Sequence, residues 1–109
     1  MQKEINFSIV LDEKSIPEKI NWTATDTQDK INECRAILIS IWDHQQKGTL
    51  SFELWTKDMT VEEMNVFFTQ TLFVMADTYD RATQNHAQSE ELKAFAKAFG
   101  EKNKAIAKK

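Results

Sequence analysis

The chain passes from strand to helix at one sharply marked point. Residues 54–79, LWTKDMTVEEMNVFFTQTLFVMADTY, leave an alternating run and enter a strongly apolar helical pattern. Thr60 and Glu63 have the T-x-x-E spacing of a capping box, with Thr60 as N-cap and Glu63 at the third helical position. Met59 before the cap and Met64 at the fourth position are spaced for a hydrophobic staple. Cap, staple and change of period agree on a boundary near residue 59, with strands before it and helices after it.

Upstream of that boundary the pattern has a period of two. Ile5, Phe7, Ile9 and Leu11 alternate with Asn6, Ser8 and Asp12, which predicts a half-buried strand whose polar face is broken only by Val10. Residues 12–18, DEKSIPE, read as a turn, and Pro17 biases Ile16 towards extended geometry. Residues 19–24 resume the alternation, with Ile20 and Trp22 on one face and Trp22 read as core. Residues 25–33 are polar and acidic and read as a loop. Residues 35–43, RAILISIWD, are apolar on both faces, the pattern of a central strand or one covered on both sides. A loop at HQQKG then leads into residues 49–56, where Leu50, Phe52 and Leu54 alternate with Ser51 and Glu53.

The length of that loop decides which residues share a face, because a slip of one residue exchanges the two faces of a strand. With Asp43 opposite Gly48, Ile37, Ile39 and Ile41 stand across from Leu54, Phe52 and Leu50 and gather into one core. The reverse face then carries Leu38, Trp42 and Trp55, together with Val10 of the first strand. This is the expected register.

Downstream, the first helix runs from Val61 to about Thr83, with Val61, Met64, Phe68, Leu72, Met75, Ala76 and Tyr79 on its main stripe. Val66, Phe67, Phe73 and Val74 extend the apolar surface round the helix, which therefore needs more cover than one sheet face supplies. Residues 84–88 read as the break and Ser89 as the N-cap of a second helix, with a stripe of Leu92, Phe95, Ala96, Phe99 and Ile106. Gly100 weakens that helix, and residues 102–109 read as a fraying tail. Six lysines against three glutamates over residues 87–109 suit a helix C-terminus, where the dipole favours cations.

Strands followed by helices make an α+β chain. The expectation is one domain over residues 1–109: a four-stranded antiparallel sheet, meander-like, with two C-terminal helices on one face. A hydrophobic content of 41% with 28% charged residues fits a folded globular chain. Two glycines are too few for phosphate-cradling loops, and a net charge of −3 disfavours nucleic acid. His44, His86 and Cys34 stand apart in sequence at no metal-ligand spacing, so neither metal nor cofactor is expected. The WDH triplet at 42–44 begins a hairpin loop and reads as a turn. Glu62 and Glu63, adjacent on a helix, diverge by about 100° and make no convergent pair. No catalytic constellation is visible. No run approaches the ~18 apolar residues of a membrane span. The N-terminus reads as a strand rather than an export signal, which places the protein in the cytoplasm.

The residues IPEKINWTATD (16–26), RAILISIWDH (35–44) and TLSFELWTKDMTVEEMNVFF (49–68) resemble the gliding-motility GldC family. The resemblance continues through MADTYDRAT (75–83) and is loose beyond it, and its most specific string is LWTKDM followed by EM-x-x-FF. It implies a small cytoplasmic accessory of the bacterial gliding machinery or its associated secretion apparatus. It supplies no catalytic residues. The implied partner is a protein of that machinery. The apolar surface left round the first helix separately predicts self-association as a homodimer or larger oligomer. Candidate contact residues are Leu38, Trp42 and Trp55 on the sheet, and Val66, Phe67, Phe73 and Val74 on the helix. The competing expectation is a holdase chaperone, because four strands followed by two helices is also the order of elements in SecB-type export chaperones.

Overall fold

The fold was described from a computed structural model, which describes residues 1–25 and 31–107. Most of the loop expected at residues 25–33, and the last two residues of the tail, fall outside the described residues. The chain divides into two compact units, Met1–Met59 and Thr60–Lys109, so the change of period at the capping box is also the boundary between them.

In the first unit, β1 (Ile5–Leu11) pairs antiparallel with β2 (Pro17–Ala24), and β2 pairs antiparallel with β3 (Asn32–Cys34). The alternating residues meet their counterparts: Phe7 lies across from Trp22, Ile9 from Ile20 and Ile5 from Ala24. Ile20 and Ala24 are the buried apolar residues of this layer, and Trp22 is half-buried. The β1–β2 turn is closed by Asp12, whose Oδ1 accepts the backbone N–H of Lys14 at 2.8 Å and of Ile16 at 3.0 Å. The Ile16 N–H holds the Asp12 carboxyl below the ordinary carboxylate range, with help from Lys14 and Lys57.

A separate hairpin joins β4 (Ala36–Asp43) to β5 (Gly48–Trp55). The expected single four-stranded sheet is therefore corrected to a three-stranded sheet, β1-β2-β3, and a two-stranded one, β4-β5. The break falls at Arg35. Cys34 still pairs with Ile20, whereas the Arg35 carbonyl already accepts the Thr56 N–H at 2.8 Å, and Ala36 pairs with Trp55. The third strand thus changes partner within two residues, and β4 borders β5 alone. It is not the covered central strand that its apolar faces suggest, since Leu38, Ile41 and Trp42 are exposed. Hydrophobic periodicity reports the faces of a strand and says nothing of which edge bonds to which neighbour.

The second unit is a helix pair. α1 (Val61–Thr83) begins in the expected capping box: Thr60 Oγ1 accepts the Glu63 N–H at 3.0 Å, and Glu63 Oε1 accepts the Thr60 N–H at 3.1 Å. The helix ends at Gln84, in the left-handed region with φ of 61°. α2 (His86–Lys102) follows at once, capped by Asn85, whose Oδ1 accepts the Gln88 N–H at 3.1 Å. Asn85 takes the capping role expected of Ser89, and the break is two residues long rather than five. Ser89 is instead buried, and its hydroxyl donates to the Ala76 carbonyl at 2.8 Å.

Small side chains make the seam between the helices. The buried residues are Thr69 and Ala76 on α1 and Ser89, Ala96 and Gly100 on α2. A Cβ built on Gly100 would stand 2.7 Å from Thr69 Cγ2 and 2.6 Å from Ile106 Cδ1. Gly100 therefore permits the close approach of the two helices. The segment after the helix is also held, since the Ile106 N–H donates to the Gly100 carbonyl at 3.0 Å and Lys104 turns through φ of 68°.

Candidate interaction surface

The hairpin owes its register to its loop. Asp43 lies opposite Gly48, Ile37 opposite Leu54, Ile39 opposite Phe52 and Ile41 opposite Leu50, which is the expected alignment. Asp43 Oδ1 accepts the Gln45 N–H at 3.0 Å, and the Asp43 carbonyl accepts the Lys47 N–H at 2.8 Å. The left-handed position of the loop belongs to Lys47, with φ of 54°, rather than to Gly48. The Asp43 carboxylate is thus engaged in shaping the loop, and His44 beside it is exposed.

Because successive side chains of a strand alternate between faces, this register separates two apolar surfaces. One carries the three isoleucines with Leu50, Phe52 and Leu54. They do not make the expected core: Ile41, Leu50 and Phe52 are exposed, and only Ile37, Ile39 and Leu54 are half-buried. The other carries Ala36, Leu38 and Trp42 from β4 and Trp55 from β5, interspersed with Ser40, Thr49, Ser51 and Glu53. Trp42 is 64% exposed, Trp55 53% and Leu38 37%. Val10, expected beside them, lies in the other sheet, paired with Lys19.

On α1 the remaining candidates fall in two pairs seven residues apart, Val66 with Phe73 and Phe67 with Val74. At 3.6 residues per turn the two pairs lie roughly 100° from each other, so they do not form one patch. Val66 and Val74 are exposed and Phe73 is half-buried. Phe67 is half-buried, edge-on to Phe68 at a centroid distance of 6.2 Å.

The larger apolar surface of the helix pair is one that the stripe pattern indicated but assigned to the interior. Phe68, Leu72, Met75 and Tyr79 recur at helical spacing. Tyr79 donates its hydroxyl to Gln88 Oε1 at 2.9 Å and lines a shallow depression with Leu92 and Phe95 of α2. Val61, Phe68, Met75 and Phe95 are exposed, and Phe95 stacks on Phe99 at 6.2 Å. Glu91 lines the same depression, and Lys93 Nζ lies 3.1 Å from Asp77 Oδ1 and 3.8 Å from Glu90 Oε1. That pairing, first with Asp77, raises the Lys93 pKa.

Among the described residues no group of three or more His, Cys, Asp or Glu is placed to hold a metal ion. No described helix is long and apolar enough to cross a membrane. Burial pushes the Cys34 thiol up, away from the reactive thiolate. The surface features that stand out are therefore apolar ones, of the kind that mark contacts between proteins.

Neither the curated proteins nor the solved structures contain a match to the chain. A family model does match, that of the gliding motility-associated protein GldC-like family, over residues 17–105. The match runs from β2 through α2 and past residue 83, where the resemblance of the short strings thins out. Covering most of the 109 residues, it shows that the chain belongs to the GldC-like family.

Proposed function

We propose that the chain is a non-catalytic interaction module of the bacterial gliding machinery or its associated secretion apparatus, acting in the cytoplasm and self-associating. One observation carries the reading: a motility-associated chain presents Trp42 and Trp55, both more than half exposed, on one face of a hairpin. Tryptophan is the residue type most enriched among interface hot spots. Leu38 lies between them on the same face, in a strip that also carries Ser40, Ser51 and Glu53. Val66, Phe67, Phe73 and Val74 add apolar surface on α1 for a larger assembly.

The strip is the proposed docking site for the machinery's protein. Trp42→Ala or Trp55→Ala is expected to weaken that binding by more than about 2 kcal/mol, with a much smaller loss of folding stability. Native pull-down with the full chain supplies the partner, and titration of each variant against it supplies the affinity. Strong destabilisation of both variants, with unchanged binding by the folded fraction, would make the rings structural and remove the site. A pull-down that returns many unfolded clients instead of one stoichiometric partner would favour the holdase chaperone, which has only the order of elements in its support.

A further inference from the structure

We infer that the outer edge of β1 is a docking edge for a second copy of this chain. Two β1 strands pair antiparallel about Phe7 and join two β1-β2-β3 sheets into one. The inference rests on the reading of the chain as a self-associating module, and it names the strand and the register that mate.

β1 is an outer strand of its sheet, paired with β2 alone among the described residues. The Thr25 N–H donates to the Glu4 carbonyl at 3.1 Å, one step beyond the Ile5–Ala24 pair. Bonded and non-bonded pairs alternate along an antiparallel ladder, so the backbone groups of Asn6 and Ser8 face β2. Those of Ile5, Phe7 and Ile9 then point out from the edge of the sheet. Such a row is a template for another strand, and folded chains commonly blunt it with charge, proline or a bulge. Residues 5–11, INFSIVL, contain neither charge nor proline, and the bulge comes only at Val10–Leu11. Ile5 is 58% exposed and Phe7 40%. α1 and α2 close their backbone bonds internally, so neither has a row of amides and carbonyls to offer this edge. The other edges are poorer templates. β3 is three residues long, and the β4–β5 ribbon has two strands, which twist more strongly than a wider sheet.

The sequence of β1 complements itself. Its odd-numbered residues present the outward groups, so a second β1 must set odd residues opposite odd ones. Centred on Ser8, antiparallel pairing would bring Glu4 against Asp12 of the second copy, a like-charge pair that destabilises. Centred on Asn6, it would overlap less of each strand and leave Ile9 against Lys3. Centred on Phe7, it sets Phe7 across from Phe7 and Ile5 across from Ile9, aromatic and β-branched pairs of the kind that stabilise sheets. On the reverse face Asn6 meets Ser8 and Glu4 meets Val10, so no like charges oppose one another. Each odd pair exchanges both of its backbone bonds. A strand paired with its own copy in one register is isologous, with a local two-fold axis at Phe7. The contact uses an edge and not a face, so it makes no demand on Trp42 or Trp55.

The test writes charge into that register, at two exposed polar positions that stand across from each other between copies. In the full chain carrying Asn6→Lys and Ser8→Lys, lysines oppose lysines. With Asn6→Lys and Ser8→Glu, each lysine opposes a glutamate. Light scattering after size exclusion at high micromolar concentration should give twice 12.7 kDa for the unmodified chain and for Asn6→Lys/Ser8→Glu, and 12.7 kDa for Asn6→Lys/Ser8→Lys. A monomeric unmodified chain, a dimeric Asn6→Lys/Ser8→Lys chain or a monomeric Asn6→Lys/Ser8→Glu chain would each overturn the inference. Hydrogen exchange on the unmodified chain covers the case in which a variant fails to fold. The amides of Ile5, Phe7 and Ile9 should exchange about tenfold more slowly, or slower still, at high than at low micromolar concentration. Exchange independent of concentration would overturn the inference. A chain that pairs in this way yet captures no motility protein would sink the proposed function alone, and a captured protein with a monomeric chain would sink the pairing alone.

Discussion

Replacing Gly100 by alanine tests the closeness of the helix pair. The added methyl would stand 2.6 and 2.9 Å from Ile106 Cδ1 and Cγ1 and 2.7 Å from Thr69 Cγ2, all inside van der Waals contact. Ile106 can swing its side-chain end away and lose some burial. Thr69 cannot turn freely, because its hydroxyl donates to the Asn65 carbonyl at 2.7 Å and accepts from Asn103 Nδ2 at 3.3 Å. Relief therefore requires the helices to part or a hydrogen bond to break, and overpacking of this kind costs about 1–3 kcal/mol. Against it stands the helix propensity of alanine over glycine, about 1 kcal/mol. Gly100→Ala should thus destabilise by about 1 kcal/mol net, read as a lower urea midpoint at constant slope. Thr69→Ser removes the clashing methyl and keeps the hydroxyl, so the double variant should regain most of that loss. An unchanged or raised midpoint for Gly100→Ala, or strict additivity in the double variant, would refute the close seam.

Thr60→Ala removes the N-cap acceptor of α1 and should cost about 1 kcal/mol; equal urea midpoints for variant and parent would count against the cap as a stabilising feature. Lys47→Gly relieves a left-handed residue in the hairpin loop and should raise the thermal midpoint slightly, by less than about 1 kcal/mol of stability. The Ile16 N–H holds the Asp12 carboxyl below the ordinary carboxylate range in the folded chain, so its contribution is present above the unfolded value and is lost as pH falls through the folded one. Asp12→Ala should therefore flatten the acid limb of stability, measured as urea midpoint between about pH 5 and pH 2, and an unaltered limb would remove Asp12 as its cause.

Local signals located the elements well. T-x-x-E spacing at Thr60–Glu63 marked the start of α1, and alternation marked β1; the hairpin register followed from setting Asp43 opposite Gly48, although the isoleucines it gathers do not form the expected core. Each depends on residues near one another in sequence: a side chain reaching a backbone amide three positions away, or a loop short enough to set the pairing. What depended on distant pairing was less legible. The apolar run through residues 36–42 reads as a central strand, yet the Arg35 carbonyl bonds to Thr56 and passes the strand to a different neighbour. Likewise Ser89 resembles an N-cap until its hydroxyl finds the Ala76 carbonyl, thirteen residues back on the other helix.

The helix pair reverses the usual inference from size. A stripe of Phe68, Leu72, Met75 and Tyr79 is ordinarily assigned to the interior, because burying each large apolar side chain contributes about 1.5–3 kcal/mol. Here the inner seam is taken by Thr69, Ala76, Ser89, Ala96 and Gly100, of which the stripes included only Ala76 and Ala96. Small residues let two backbones approach, and the approach turns larger neighbours outward. Phe95 shows the consequence: it sits next to the buried Ala96 in sequence and remains more than half exposed. The positions of the small residues were the available sign. Thr69 and Ala76 are seven apart, and so are Ser89 and Ala96, with Gly100 four further on. A repeat of that kind predicts which helix faces meet, and by subtraction which aromatic residues are left for another protein surface.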